Sequence, residues 1–263
     1  MFDIGPSDEL WVAEVRSNSE RLVFDAGDLI GDVAWAPSGR AIAITFGDGI
    51  WLINPDGTGL RRIADSGDAL AWSPDSKSLA FSRIDDRLRW HVAILSLETG
   101  EERVLSAGFD PRWSPDARFL LFQQASGRIE PPKIRLVRAT GGAPRTVARG
   151  SSPSWSPDGR RIAFRRADRT GPPISLWVID RNGSHRRRIA SPVSASNWRP
   201  AWSPHARQIA FVKDGAGGCR SSAYVVPVKG GRPNRLARET REISPLGWFS
   251  RRRVLYQARR CQS

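Results

Sequence analysis

Short apolar runs alternate with polar turn formers along the whole chain, and no stretch of ten or more residues keeps a 3.6-residue period. The pattern predicts β-strands throughout. Tryptophan sets their register. Trp35-Ala36-Pro37-Ser38-Gly39, Trp72-Ser73-Pro74-Asp75, Trp113-Ser114-Pro115-Asp116, Trp155-Ser156-Pro157-Asp158-Gly159 and Trp202-Ser203-Pro204-His205 recur, and Trp248-Phe249-Ser250-Arg251 is a degenerate sixth copy. Successive tryptophans lie 37, 41, 42, 47 and 46 residues apart, the period of a four-stranded propeller blade.

Each unit reads as four strands. The first ends at the tryptophan. Ser-Pro-Asp-Gly then makes a tight turn, with proline presetting φ and the aspartate or serine bonding nearby amides. A second strand follows with bulky residues on one face and mostly alanine on the other, as in Leu79-Ala80-Phe81, Ile162-Ala163-Phe164 and Ile209-Ala210-Phe211, which suits closely stacked sheets. A variable loop leads to a third strand, such as His91-Val92-Ala93-Ile94-Leu95 or Ser175-Leu176-Trp177-Val178-Ile179. A glycine-containing turn follows, then a short basic fourth strand such as Arg61-Arg62-Ile63 or Arg187-Arg188-Ile189.

The ends complete the pattern. Leu10–Val15 and Arg21–Phe24 resemble a third and a fourth strand; Gly247–Phe249 and Arg253–Tyr256 resemble a first and a second. The expectation is an all-β chain: a six-bladed β-propeller of four-stranded antiparallel blades, one domain over residues 1–263. The ring closes by terminal strands that share one blade and so hide sheet edges.

The composition fits. A chain of 263 residues with 40% hydrophobic residues can bury a large core, and no run is long enough to cross a membrane. The first ten residues lack the basic start and apolar stretch of a secretory leader. Two cysteines, Cys219 and Cys261, exclude a disulfide scaffold and a four-cysteine zinc site; exported, the pair can bond.

The net charge of +14 is unevenly placed. Residues 1–130 hold 13 Lys+Arg against 21 Asp+Glu, and residues 131–263 hold 28 against 6. The bases are spread over turns at both ends of the strands, with no aromatic-studded basic groove, so nucleic acid is the weaker reading of the charge.

Catalysis is not written in the sequence. His91, His185 and His205 fall in different parts of different units, and no Gly-x-Ser-x-Gly elbow precedes a helix. Asp85-Asp86 and Asn54-Pro55-Asp56-Gly57 lack the spaced oxygen ligands of a calcium loop. Asp75, Asp116 and Asp158 recur with the repeat and read as turn residues. No catalytic group, metal or cofactor is expected.

The candidate binding residues lie in loops between second and third strands and between units: Arg83, Arg87, Arg89, Trp90, Arg128, Lys133, Arg165, Arg166, Arg169, Trp198, Arg199, Lys213 and Arg220. Arginine and tryptophan anchor interfaces, and the basic loops also suit an acidic polymer. The recurrent tryptophans Trp35, Trp72, Trp113, Trp155, Trp202 and Trp248 are expected to be structural anchors.

The unit from Trp155 to Phe164, its Leu-Trp-Val-Ile-Asp strand and Asn182-Gly183 turn resemble the WD-like repeat of TolB-type propellers over nearly the whole chain. Ser38 and His205 depart from the turn aspartate, and the sixth copy has lost Ser-Pro-Asp. The resemblance implies a monomeric, non-catalytic scaffold for protein–protein interaction in the bacterial envelope, periplasmic or extracellular. TolB also carries an α/β domain for which this chain has no room. Related propellers serve as accessory or substrate-gating domains of peptidases, which is the alternative reading.

Overall fold

The computed structural model describes residues 9–14, 19–27, 29–127, 130–168, 171–194, 198–214, 221–238, 242–250 and 253–259, with backbone alone for 12–14, 19–20, 168, 171–172, 242–250 and 253–259. They form 24 strands and, among the described residues, no helix. The chain parts into two compact units, residues 1–113 with 139–142, and residues 114–138 with 143–263.

The first unit opens with an antiparallel hairpin of β1 (Glu9–Glu14) and β2 (Ser19–Asp25). Two four-stranded antiparallel meanders follow. One is β3 (Ile30–Trp35), β4 (Ile42–Phe46), β5 (Gly49–Ile53) and β6 (Arg61–Ala64); the other is β7 (Asp68–Trp72), β8 (Ser78–Ile84), β9 (Trp90–Ser96) and β10 (Glu102–Ala107). Strand β11 (Phe109–Trp113) completes this unit.

The second unit begins with β12 (Phe119–Gln124), β13 (Lys133–Arg138) and β14 (Arg145–Arg149), paired antiparallel in chain order. Two more four-stranded meanders follow. They are β15 (Ser151–Trp155), β16 (Arg161–Asp168), β17 (Gly171–Asp180) and β18 (Arg187–Val193), then β19 (Ala201–Trp202), β20 (Gln208–Asp214), β21 (Ser221–Pro227) and β22 (Asn234–Arg238). The hairpin of β23 (Glu242–Ser250) and β24 (Arg253–Arg259) closes the chain. The two terminal hairpins are the strand pairs that the sequence assigned to each end.

Second strands are buried on both faces. Ile44, Phe81, Phe122, Phe164 and Phe211 occupy one face and are fully buried; Ala43, Ala80, Leu121, Ala163 and Ala210 occupy the other. The small face admits a neighbouring sheet, and the large face fills the space opposite it. In the first unit Leu79 and Phe81 pack with Ile50, Leu52 and Leu95. In the second, Phe164 packs with Leu121, Ile134 and Leu136, and Phe211 with Leu176, Val226 and Trp198.

The repeated turn is built as its residue types require. The Ser73 hydroxyl donates to Asp75 Oδ1 at 2.6 Å and accepts the Ser78 amide at 2.9 Å, while the Lys77 amide reaches the same carboxylate oxygen. Ser114 with Asp116 and Ser156 with Asp158 repeat this set. In the fifth copy Ser203 still accepts two amides although His205 replaces the aspartate. The residue after the aspartate position takes the left-handed conformation in the first five copies: Gly39, Ser76, Ala117, Gly159 and Ala206.

Two cross-links join consecutive repeats. Anchor indoles donate to the carbonyl just before the preceding anchor, as Trp113 does to Ala71 and Trp202 to Ser154. Fourth-strand arginines reach the glycine turn of the next repeat. Arg21 donates to the Pro55 and Asp56 carbonyls, Arg103 to Ala139 and Thr140, Arg145 to Arg181 and Asn182, and Arg187 to Val228. In β2, β10 and β14 the arginine is therefore a structural clamp, its planar fork spanning two successive carbonyls. The side chain of Trp248 lies outside the described ones.

Candidate functional site

The loop between β8 and β9 presents the most exposed large apolar side chain of the described residues. Leu88 is 83% exposed and sits at φ 57, a left-handed conformation that glycine normally fills. Ile84 and Trp90, exposed at 42% and 39%, face each other across the base of the loop, where β8 and β9 pair.

One carboxylate holds the loop in shape. Asp85 Oδ1 accepts the amides of Arg87 and Arg89, each at 2.9 Å. Its Oδ2 accepts Arg89 Nε at 3.0 Å and lies 2.9 Å from His91 Nε2. The backbone adds Leu88 N to Asp85 O at 2.9 Å and Asp85 N to Arg89 O at 3.0 Å. The Arg89 amide and side chain, followed by the His91 and Arg87 bonds, hold the Asp85 carboxyl far below its ordinary range. Leu88 is thus held exposed, in a left-handed conformation, by a turn that the Asp85 bonds close.

Two of the arginines here are paired with carboxylates. Arg83 pairs with Glu102, and Arg89 with Asp85. Arg87 is exposed at the loop tip. The chemistry the loop offers is therefore an apolar anchor, Leu88, beside Trp90, with arginine at the edge.

Two candidates read as loop residues lie inside the second unit. Arg165 and Trp198 are each 4% exposed. Strand β16 continues past Phe164 to Asp168, so Arg165 belongs to the sheet and pairs with Leu176. Its guanidinium sits 5.2 Å over the Trp198 ring and donates to the carbonyls of Trp198 and Ser194 at 3.2 Å. Burial lowers its pKa from the ordinary value, and Asp214 acts in the opposite direction. Gly150 abuts this group: a Cβ there would lie 2.3 Å from the Arg165 carbonyl oxygen.

The remaining candidates scatter. Arg166 lies 6.0 Å from the Trp177 ring, which Arg186 also covers at 5.6 Å, and Lys213 lies 5.1 Å from the Tyr224 ring. Lys133 and Arg199 are half-buried at a strand start and in a connection. Arg128, Arg169 and Arg220, like Cys219 and Cys261, lie outside the described residues. Ile84, Asp85 and Leu88 were not among the binding candidates read from the sequence. The signal was a tight turn with no glycine at its left-handed position.

Two of the histidines bond locally. His91 joins the Asp85 network, and His185 lies 2.7 Å from Asp180 in its turn. Among the described residues, no cluster of three or more His, Cys, Asp or Glu is placed to hold a metal, and no helix is long and apolar enough to cross a membrane.

The strand arrangement and the solved structures it matches define a TolB-type β-propeller fold. The chain superposes on TolB from Acinetobacter baumannii with a TM-score of 0.63 at 20% identity, covering 86% of this chain and 61% of that one. A putative TolB from Agrobacterium tumefaciens gives 0.66 at 20% identity, with 89% and 90% covered. Oligogalacturonate lyase from Vibrio parahaemolyticus gives 0.72 at 13% identity, with 87% and 71% covered. No protein-family model and no curated protein sequence matches the chain.

Proposed function

We propose that this chain is a non-catalytic scaffold that binds a protein partner through the β8–β9 loop, with Leu88 as the central anchor. The exposure of Leu88 at a left-handed φ, inside a loop fixed by Asp85, carries this reading. Counting by the tryptophan repeat, the scaffold has six blades. The likeness to TolB supports a place in the bacterial cell envelope, on the periplasmic side, with the chain acting as a monomer in one propeller domain. The partner would offer an apolar pocket for Leu88 and Trp90 with an acidic edge for Arg87.

The test compares immobilised wild-type chain with a Leu88→Asp variant of equal thermal stability. A discrete protein recovered by the wild type and lost with the variant supports the reading. Equal recovery by both sinks it.

A further inference from the structure

A cleft of about 410 Å³ opens in the second unit, where β12 begins and β13 ends. We propose that it is a binding site for a small, doubly charged organic anion with a flat apolar group, such as an aryl phosphate.

Three guanidiniums wall the cleft: Arg138, Arg145 and Arg181. Arg145 spends its terminal nitrogens on the Asn182 and Arg181 carbonyls, so its charge is fixed in place without being neutralised. Arg181 lies 5.1 Å over the Phe119 ring and, among the described residues, pairs with one carboxylate, Asp116, at 3.5 Å. Arg138 is exposed and has no ion pair among the described residues. Three positive charges thus meet one negative charge, a local excess of two that a phosphate monoester dianion would balance.

About half of the lining is apolar. Phe119, buried Val137 and Ala143 belong to it, and the ring of Phe119 is already used as a stacking surface by Arg181. The volume falls in the range of small-molecule sites, and an apolar surface with a few convergent charged groups is their usual composition. Arg138 and the free edge of Arg181 would grip the anion with charge-assisted bonds. The flat group would lie on Ala143 and against the accessible edge of Phe119. The clamp of Arg145 preorganises the wall before any ligand arrives, so little side-chain entropy is lost on binding.

The probe is phenyl phosphate, titrated calorimetrically into the full chain at low salt, with inorganic phosphate and benzyl alcohol as separate arms. The expected result is saturable binding of phenyl phosphate, weaker binding of inorganic phosphate, and none of benzyl alcohol. Arg138→Glu should weaken binding at least about tenfold through loss and reversal of a phosphate-facing charge. Arg61→Glu changes the net charge equally in the other unit and should leave binding unchanged. Ala143→Phe fills the cleft without altering charge and should abolish binding even if the arginine variant folds poorly. Absence of saturable binding, or equal affinity in Ala143→Phe, overturns the proposal.

Discussion

The indole nitrogen of Trp72 donates to the carbonyl oxygen of Ala34 at 2.8 Å, reaching the residue just before the preceding anchor, Trp35. The recurrent tryptophan is therefore more than core volume: it satisfies a backbone carbonyl of the preceding repeat, which phenylalanine cannot do. Trp72→Phe should destabilise the protein by about 1–3 kcal/mol by leaving that carbonyl unpaired and a gap beside it. Chemical denaturation checks this, with Trp90→Phe, at an exposed position at the start of β9, expected to shift the midpoint little.

The arginine clamps make a second prediction. Arg103 places two nitrogens on consecutive carbonyls, those of Thr140 and Ala139. Arg103→Lys keeps the charge and loses the fork, so it should destabilise nearly as much as Arg103→Ala, by about 1 kcal/mol at this exposed position. If lysine restores the wild-type midpoint, the clamp acts by charge alone.

Left-handed residues other than glycine carry strain that can be relieved. Ala117 (φ 56) stands where Gly159 stands in the next repeat. Ala117→Gly should stabilise by about 1 kcal/mol, since a side chain in this conformation costs roughly that much. Leu88→Gly should stabilise similarly while weakening partner capture, separating the loop's strain from its use. Thermal unfolding of both variants measures the gain.

Acid should weaken the repeat turns. The Ser73 hydroxyl, then the Lys77 amide, lower the Asp75 pKa from the ordinary 3.8. At Asp116 and Asp158 burial pushes upward, but the Ser114 or Ser156 hydroxyl and a turn amide outweigh it, so both are lowered as well. A carboxyl whose folded pKa is depressed contributes stability that is present above the unfolded pKa and is lost as pH falls through the folded value. Urea midpoints measured downward from pH 5 should fall below about pH 4, and fall less in a triple Asp→Asn variant at these positions.

Much of the fold was legible in the sequence because its signals are local. The tryptophan spacing, the Ser-Pro-Asp turns and the bulky-alanine alternation depend on backbone geometry within ten residues. The roles of individual arginines were not legible. Arg165 looked like the start of a loop because the apolar run ends at Phe164, yet the strand pairing continues four residues further. Trp198 looked like an interface anchor beside Arg199, but it packs on Phe211 and under Arg165. Both depend on contacts between repeats, which no local pattern records. Leu88 was passed over because leucine carries no turn signal, and its strain shows only in the backbone angle.

Site-specific photo-cross-linking at position 88 tests the central claim most directly. A photoreactive residue replacing Leu88 should give a discrete adduct with one protein in cells. The same residue at Arg61, exposed on β6, should give none. An adduct at 61 matching that at 88, or no adduct at 88 while the chain is folded, would contradict a binding role for the loop.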